Sequence, residues 1–388
     1  MCFVNPFGYG LFDHEARMQK VFGGAEVQLY YLATALAKDP SFSVSMIVEG
    51  QKGGVAPEVA GVRMIGVKPI GAGFARLRDR LPMPSPAYLA ALRRADAEIY
   101  LQRGAAVLTG DVAAYCGLRR QKFAFMAAHD WDCDRSHQRG KHFLAGSYYL
   151  AALRSADLVL AQSEAQRDAL RAHHGIASLV QPTVYPPDAT VENNREHVLW
   201  IGRCLDWKRP HAFLDLATRL AGVPFLMACP RYSGAHDLHA QVAQRASQLP
   251  NVEFIEFIPF HQTHDLFRRA IALVNTSTAE GFPNTFVQAA RAATPVCSLD
   301  VNPDGVIETA GMGYCANGSI PLLAEHLGNL VKDAERWQEC SRNATAYFRA
   351  AHDLDRLLPP FAEALRSLQS TPDRPRRRAD LRRRPRRA

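Results

Sequence analysis

Short apolar runs alternate with amphipathic segments along almost all of the 388 residues, and this alternation limits the fold more than any other feature. It is typical of strands that are buried on both faces and joined through helices, as in a parallel sheet. The pattern therefore predicts an α/β protein. In the first half we expect strands at 2–6, 44–49, 62–67, 98–102, 122–128 and 157–163, and helices at 24–38, 86–95, 105–118 and 164–174.

The stretch QPTVYPPDATVENNREH (181–197) interrupts this alternation with three prolines and a polar run, as interdomain linkers do. A chain of this length also exceeds what one hydrophobic core usually holds, so two domains are expected. A second series of strands is predicted at 198–202, 224–229, 252–258, 271–277 and 295–300, followed by helices around 320–332, 335–350 and 354–369.

Two such series predict two Rossmann-like, doubly wound domains that face each other across a cleft. In such sheets ligands bind beyond the carboxyl ends of the strands, so the loops after the strands are where chemistry is expected. We place an N-terminal domain at 1–183, a C-terminal domain at 184–352, a helix packing back on the N-terminal domain at 353–370, and a disordered Arg-rich tail at 371–388.

The charge of the chain is uneven. Its formal net charge is +8, but residues 371–388 hold nine Arg and two Asp, a net +7, which leaves +1 for the rest. A nearly neutral body lacks the basic face of a nucleic-acid-binding domain, so no specific nucleic-acid partner is expected. The tail suits an anionic phospholipid surface or nucleic acid, and equally a solvated extension without a partner.

Several features predict a cytoplasmic protein. No apolar run reaches the roughly 18 residues that span a bilayer, and no basic segment precedes an apolar one at the N-terminus. The eight cysteines are scattered without a C-x-x-C pair, as reduced thiols are. The segment FARLRDRLPMPSPAYLAALRRA (74–95), with Arg76, Arg78 and Arg80, predicts either peripheral contact with the anionic inner face of the plasma membrane or a plain amphipathic helix and loop.

Gly23 and Gly24 follow the long loop after the first strand and open a helix. Two glycines at a helix N-terminus allow the close approach of a phosphate, which the helix dipole favours. The pair does not complete the G-x-G-x-x-G fingerprint of a dinucleotide-binding fold, and a tight turn explains it equally well.

The stretch VLWIGRCLDWKRP (198–210) places two cations, Arg203 and Lys208, between a strand and a helix that Pro210 helps to start. Two cations at the carboxyl end of a strand suit a pyrophosphate, because departure of a nucleoside diphosphate builds negative charge on it. Such a pair could replace a metal ion. The alternative is a solvated basic loop.

The stretch EGFPNT (280–285) follows the strand IALVNTS and precedes another helix, with Pro283 at its first helical position. Glu280 then lies beside any anion that the free N–H groups bind. This makes sense if the ligand also carries hydroxyls, since a carboxylate is a strong acceptor for the O–H groups of a sugar. The alternative is that Glu280 only complements the helix dipole.

The stretch KFAFMAAHDWDCDRSHQRGKH (122–142) sets His129 directly after a strand, and we expect this residue to touch substrate. The acidic, cysteine and histidine residues around it match no compact zinc spacing, so no metal site is expected. They are Asp130, Asp132, Cys133, Asp134, His137 and His142.

Together these stretches resemble the family 4 glycosyltransferases, retaining enzymes of the GT-B fold that use nucleotide-sugar donors. The resemblance covers about residues 1–370, in the order and near the spacing of that family. It rests on FGGAEVQLYYLATALAK, AAHD, ADLVLAQSEAQRDAL, VLWIGRCLDWKRP and STAEGFPNTFVQAARAATPV, of which the last two are quite specific.

The resemblance implies a role for each motif. Gly23 and Gly24 would line the donor phosphates, Arg203 and Lys208 would bind the diphosphate, and His129 would contact the transferred sugar. Glu280 opens the E-x7-E motif, and its carboxylate would contact the sugar. The residues that follow it, Gly281, Phe282, Pro283 and Asn284, would complete the donor site, with backbone amides gripping sugar and phosphate.

The chain departs from the family at Gln288, where the second acid of E-x7-E normally holds the ribose diol. Eight residues along a helix rise ~12 Å, comparable with the span from sugar across a pyrophosphate to ribose. An amide still pairs with a diol, but a charged acceptor is typically stronger by roughly 1 kcal/mol. We therefore predict weaker donor affinity or altered nucleotide choice, with activity retained.

The predicted function is that of a retaining hexosyltransferase in polysaccharide biosynthesis, acting on a nucleotide-sugar donor and a sugar, glycan or lipid-linked acceptor. The nucleotide sugar is a co-substrate, and neither a cofactor nor a metal is expected. No general base is assigned, because the leaving phosphate itself is the usual proposal for such sites. A GT-B-type nucleotide-sugar epimerase or hydrolase, and a non-catalytic nucleotide-sugar-binding protein, stay open as alternatives.

Overall fold

The computed structural model describes residues 1–13, 22–50, 54–134, 143–188, 195–231 and 236–370. These residues form two α/β domains, each built on its own sheet, so the predicted fold class is confirmed. The Arg-rich tail and both His137 and His142 lie outside the described residues. The domain boundary at 183/184 stays a prediction.

The N-terminal sheet has eight strands in the order β3-β4-β2-β1-β5-β6-β7-β8. Neighbours pair in parallel except β3 and β4, which are antiparallel. The strands are β1 Cys2–Val4, β2 Ser45–Glu49, β3 Glu58–Val59, β4 Val62–Val67, β5 Ile99–Arg103, β6 Lys122–Met126, β7 Leu158–Ala161 and β8 Leu179–Val180.

The C-terminal sheet has six parallel strands in the order β11-β10-β9-β12-β13-β14. In both sheets the central strands are fully buried, which explains why their sequences are continuous apolar runs. The strands are β9 His197–Ile201, β10 Phe225–Ala228, β11 Val252–Ile255, β12 Ala270–Asn275, β13 Val296–Ser298 and β14 Gly313–Cys315.

Helices cover both faces of each sheet. The first six are α1 Gly24–Leu36, α2 Ala72–Arg80, α3 Pro86–Ala95, α4 Val107–Arg119, α5 Phe143–Ser155 and α6 Glu164–His174. The others are α7 Pro210–Arg219, α8 His236–Ser247, α9 Thr263–Arg268, α10 Asn284–Arg291, α11 Val306–Thr309, α12 Ile320–Lys332, α13 Ala334–Ala351 and α14 Leu354–Ser370.

Most predicted elements occur within two or three residues of their predicted bounds, and the differences have local causes. Strands β3, β8 and β14 are too short to produce an alternating pattern and were not predicted. Strand β6 ends at Met126, two residues before the predicted end, because the N–H groups of Ala128 and His129 donate to the Asp132 carboxylate instead of to a neighbouring strand.

The chain crosses between the domains twice, and the two crossings lie side by side. The Tyr185 N–H donates to the His352 carbonyl at 3.1 Å, and the Leu354 N–H donates to the Tyr185 carbonyl at 3.0 Å. Beyond this contact, α14 packs on the N-terminal domain, where Phe361 and Leu365 are buried in its core.

The His352 side chain fastens the two crossings together. Its Nδ1 donates to the Thr183 carbonyl at 2.7 Å, and the Tyr347 hydroxyl lies 3.0 Å from Nε2. Nε2 therefore accepts from Tyr347, and the ring is neutral. Burial lowers the pKa of His352 from 6.5 to about 4, because a charged imidazole would lose its hydration there.

This pKa makes the interdomain crossing sensitive to acid. Between pH 6.5 and pH 4 the unfolded chain binds a proton at this histidine and the native protein does not, so stability is lost as pH falls through this range. We expect His352→Gln to remove roughly 2 kcal/mol of the decrease in unfolding free energy between pH 7 and pH 5. Urea unfolding of both proteins at the two pH values measures this, and equal decreases would contradict it.

Candidate active site

Two helix N-termini, one from each domain, meet in the interdomain cleft. Helix α1 begins at Gly24, with Gly23 as its N-cap, and α10 begins at Asn284. A Cβ atom on Gly24 would overlap the Asn284 side-chain amide, so the glycine lets the two helix ends touch. The first N–H groups of a helix have no intrahelical partner, and both ends therefore present donors to one region that suits an anion.

Glu280 and Lys208 form an ion pair between two loops of the C-terminal domain. Their side chains are only 13% and 21% exposed, so water weakens the pair less than at an open surface. The Ser277 hydroxyl donates at 2.8 Å to Oε1 of Glu280, the same oxygen that Lys208 contacts. The Glu280 carboxylate is thus held through Oε1, and Oε2 makes no hydrogen bond to the described residues.

The loop that carries Arg203 and Lys208 is anchored to strand β12 and the residues after it. The Thr276 hydroxyl donates to the Lys208 carbonyl at 2.6 Å, and the Thr278 N–H donates to the Trp207 carbonyl at 2.8 Å. These contacts set Lys208 next to Glu280. Arg203 is exposed and directly follows Gly202 at the carboxyl end of β9, as predicted.

Gly281 packs directly on the N-terminal domain. A Cβ atom there would lie 2.8 Å from Nε2 of Gln166, 2.9 Å from the Gln162 side-chain amide and 3.1 Å from the Ala128 carbonyl. A side chain at this position would displace both glutamine side chains and crowd the Ala128 carbonyl. The contact also places the loop of Glu280 beside the loop of His129.

Gln162 and Gln166 connect these two loops. The Gln166 amide donates to Oδ1 of Asp130 at 3.0 Å and accepts from the Gln162 N–H at 2.9 Å. In the orientation of the Gln162 side-chain amide that satisfies both of its ends, Nε2 donates to the Ala128 carbonyl at 3.0 Å and Oε1 accepts from Arg103 at 2.7 Å. Both glutamines lie in the stretch AQSEAQ directly after β7, a position that pointed to the site although no role was assigned to them.

His129 is held in one orientation and one neutral tautomer. Oδ2 of Asp132 accepts from the N–H groups of Ala128 at 2.8 Å and of His129 at 3.1 Å. The Trp131 N–H donates to Nδ1 of His129 at 3.3 Å, so the proton of the neutral ring is on Nε2. Nε2 is buried without a hydrogen-bond partner among the described residues, which leaves this N–H for a ligand.

Two further charged side chains, Arg103 and the half-buried Glu26, interact with each other in this region. Arg103, at the end of β5, is 8% exposed, and burial lowers its pKa to about 10 against the opposing effect of Asp132 and Glu26. The Glu26 carboxylate folds over Gly23, and its Oε2 has no hydrogen-bond partner within the described chain. Neither residue was predicted, and no motif signal marks them, because their effect depends on burial.

Two further contacts cross the cleft. The Asp304 carboxylate accepts from the N–H groups of Glu164 and Ala165, both at 2.9 Å, and thereby caps α6 of the other domain. The indole rings of Trp131 and Trp207 lie 6.1 Å apart between ring centroids. The hydrogen bonds of Asp304 join the two domains beside the cleft, while the two indole rings face each other across it.

The segment from Glu280 to Gln288 differs in two respects from its prediction. Pro283 is the N-cap and not the first residue of α10, which begins one residue later at Asn284. Only the part of the interval from Glu280 to Gln288 after Pro283 is helical, so the expectation of a continuous ~12 Å helical rise is wrong. Glycine and proline before a helix favour an extended approach, and that signal was already in the sequence.

The remaining predicted donor residues are placed as follows. The Phe282 side chain is buried and packs on the His352 ring at 5.0 Å, so only its backbone can face a ligand. Gln288 is half-buried in the second turn of α10, and its side-chain amide has no hydrogen bond to the described residues. Among those residues, no group of three His, Cys, Asp or Glu side chains could hold a metal ion.

The fold and this cleft define a class: two Rossmann-like domains with an anion site where they meet, the architecture of GT-B glycosyltransferases. The profile of the family described as "Glycosyltransferase Family 4" matches residues 22–185, and that described as "Glycosyl transferases group 1" matches residues 195–333. The chain belongs to the family 4-type glycosyltransferases. The resemblance of its motifs to this family is thereby confirmed.

Solved structures agree on the fold. HepE of Anabaena, in complex with UDP and glucose, is 17% identical with a TM-score of 0.69, covering 94% of this chain and 99% of its own. Sucrose-phosphate synthase of Thermosynechococcus elongatus is 16% identical with a TM-score of 0.74, covering 95% and 98%. A trehalose 6-phosphate synthase of Burkholderia multivorans is 14% identical with a TM-score of 0.70, covering 95% and 98%. None of the curated proteins matches the chain.

Proposed function

We propose that the protein is a retaining glycosyltransferase that moves a sugar from a nucleotide-sugar donor to a sugar, glycan or lipid-linked acceptor without a metal ion. The observation that carries the proposal is the Lys208–Glu280 pair beside the two facing helix N-termini of α1 and α10. A cation and free N–H groups suit a diphosphate, and a carboxylate suits sugar hydroxyls. A nucleotide sugar carries both groups side by side.

The leaving diphosphate would be neutralised by the protein itself. Lys208 has no carboxylate other than Glu280 within ion-pair distance in the described chain, and Arg203 lies on the same loop. Partial burial of Lys208 strengthens its interaction with a charge that grows as the glycosidic bond breaks. In this proposal the two cations and the helix ends take the part that a divalent cation has in other enzymes.

Transfer would exchange one bond at the anomeric carbon for another. The bond from C1 to the phosphate oxygen breaks, and its electron pair leaves with the nucleoside diphosphate. The acceptor oxygen forms the new bond to C1 on the same face, and its proton passes to the departing phosphate oxygen. Glu280 and His129 would orient the sugar, while closure of the cleft keeps water away.

UDP is the first nucleotide to test. HepE was solved with UDP-glucose, and a trehalose-phosphate synthase of Burkholderia xenovorans, also similar in fold, is UDP-forming. Thermal-shift measurements with UDP-, GDP-, ADP- and dTDP-sugars would identify the donor. Product analysis without an acceptor separates the rival functions: rapid epimer or free-sugar formation favours an epimerase or hydrolase, and binding without turnover favours a binding protein.

We expect Arg203→Ala and Lys208→Ala each to lower kcat by about 10²-fold or more, the scale for losing one charge contact to a transition state. Initial-rate kinetics with the identified donor measure the effect. Arg219→Ala is the matched control, because this exposed arginine lies at the far end of α7. An unchanged kcat in both site variants would refute the proposed role of the two cations.

The acid that the family has at position 288 provides a second test. We expect Gln288→Glu to lower the donor KM by about fivefold, corresponding to roughly 1 kcal/mol for a charged acceptor on the ribose diol, with little change in kcat. The control for the added negative charge is Gln244→Glu, at an exposed position on α8. An unchanged donor KM and nucleotide preference in Gln288→Glu would show that residue 288 does not contact the nucleoside.

A peripheral role at an anionic membrane, and with it a place in polysaccharide biosynthesis at its inner face, is part of the proposal. Helices α2 and α5 pack on each other and carry exposed apolar side chains, and Phe143 is 82% exposed. None of the described helices is both long and apolar enough to cross a bilayer. The exposed apolar residues are Phe74, Leu77, Leu81, Phe143 and Leu144.

The structure corrects the set of arginines on this face. Arg78 is 5% exposed and forms an ion pair with Asp111, so it cannot contact a membrane as expected. Asp111 also accepts from the Ser85 N–H at 3.1 Å, which ties α2 to the start of α3. Arg76 and Arg80 remain as the cations of this helix.

We expect Arg76→Gln with Arg80→Gln, combined with deletion of 371–388, to abolish binding to vesicles containing phosphatidylglycerol, since each cation near an anionic surface contributes about 1 kcal/mol. Cosedimentation at low and moderate salt measures this. The matched control is Arg342→Gln with Arg349→Gln on α13, also exposed. Equal vesicle binding by the deletion variant and the full chain would refute the membrane contact.

A further inference from the structure

Trp131 is the most exposed of the four tryptophans, all of which lie in the described chain. Its exposed fraction is 40%, whereas Trp200 and Trp337 are each 3% exposed within the core of the C-terminal domain. The indole N–H groups of those two donate to the Thr276 hydroxyl and the Ile271 carbonyl. The indole N–H of Trp131 makes no such bond to the described residues, and two fifths of the residue stays exposed although its ring contacts those of His129 and Trp207.

The Trp131 ring lies at the entrance to the site. Its centroid is 4.1 Å from the His129 ring and 6.1 Å from the Trp207 ring of the other domain. Trp207 directly precedes Lys208, whose side chain contacts Glu280. The exposed indole of Trp131 therefore lies between solvent and the residues expected to hold the donor sugar, His129 and Glu280. An acceptor would approach the site from solvent on this side.

The position of Trp131 is rigid. It lies in a short helical turn, Asp130–Asp132, whose last residue is 5% exposed and accepts from the N–H groups of Ala128 and His129. The Tyr149 hydroxyl donates to the Asp132 carbonyl at 2.7 Å. An exposed ring fixed in this way binds a flat apolar surface without first losing conformational freedom.

The surroundings of this ring select a neutral partner with both apolar and hydroxyl surface. Asp130, which is exposed, and the half-buried Asp134 lie close to Trp131 in the chain and disfavour an acceptor that carries a phosphate at this point. A hydrocarbon chain packed on the Trp131 ring would leave the neighbouring polar groups without hydrogen-bond partners, which costs binding energy. A pyranose ring fits, because its C–H face packs on an aromatic ring and its hydroxyls reach polar groups around the edge.

We propose that Trp131, facing Trp207 across the cleft, is the platform on which a neutral pyranose ring of the acceptor stacks. The acceptor is then a sugar or a glycan end, and the lipid of a lipid-linked acceptor would lie farther from the reaction centre. This inference rests on the proposed glycosyl transfer. It concerns only the acceptor, and donor binding does not depend on it.

The test uses the full chain with its identified donor and a panel of neutral methyl pyranosides of the gluco, galacto, manno and N-acetylglucosamine configurations. Glycerol and glucose 6-phosphate serve as acceptors without a neutral ring. The variants are Trp131→Ala, Trp131→Phe and, as an exposed apolar control remote from the cleft, Leu118→Ala. Each is assayed for acceptor KM, donor KM, kcat and release of nucleotide without acceptor.

We expect at least one pyranoside to accept, and Trp131→Ala to raise its KM by about tenfold, the effect of losing an aromatic contact of roughly 1.4 kcal/mol. The donor KM and the acceptor-free release of nucleotide stay within about twofold, and Trp131→Phe restores most of the acceptor affinity. A platform that only packs the domains together would instead change the donor KM as well.

The proposal is overturned if Trp131→Ala leaves the acceptor KM unchanged, or if only glycerol or glucose 6-phosphate accepts. It is also overturned if no pyranoside accepts while the protein still binds and slowly hydrolyses its donor. A wild-type protein that neither binds nor cleaves any nucleotide sugar would instead refute the proposed function itself, and the platform with it.

Discussion

Close approach of the two domains at Gly24 and Gly281 is the constraint on which the rest of the site depends. Gly24 meets the Asn284 amide, and Gly281 meets Gln162 and Gln166, at distances that leave no room for a Cβ atom. Backbone N–H groups from both domains consequently face the same small region. The Lys208–Glu280 pair beside it is mostly buried, so this electrostatic contact is stronger than at an open surface.

Partial burial beside Lys208 explains why the Glu280 carboxylate is tolerated next to helix N-termini, whose N–H groups favour anions. Glu280 is bound through one oxygen by Lys208 and Ser277, so its charge is already balanced before a ligand arrives. It keeps the Lys208 side chain in place, and a partly buried cation without a partner would be costly. Its other oxygen remains for hydroxyl groups. In the proposed function the same carboxylate would orient a cation for phosphate and offer an acceptor for sugar.

Much of the fold could be predicted because its signals are local. Helices at 86–95, 164–174 and 320–332 occur at their predicted bounds, since capping residues and apolar periodicity act within a few turns. The loops after β6 and β9, which carry His129 and Arg203, could be located for the same reason. The burial of Arg78 could not be predicted. An arginine on an amphipathic helix is expected to be exposed, and its buried partner Asp111 lies 33 residues away in the chain.

The sequence by itself determined an α/β protein with two sheets, the loops that follow its strands and the family to which it belongs. Only the tertiary structure decided which of those loops meet. Lys208 and Glu280 are 72 residues apart in the chain, and Asp304 caps a helix end 140 residues away. The first contact follows from the pairing of β9 with β12 within one sheet, and the second from how the two domains dock, which depends on the shape and polarity of whole surfaces. A periodic pattern records only what lies within its own helix or strand.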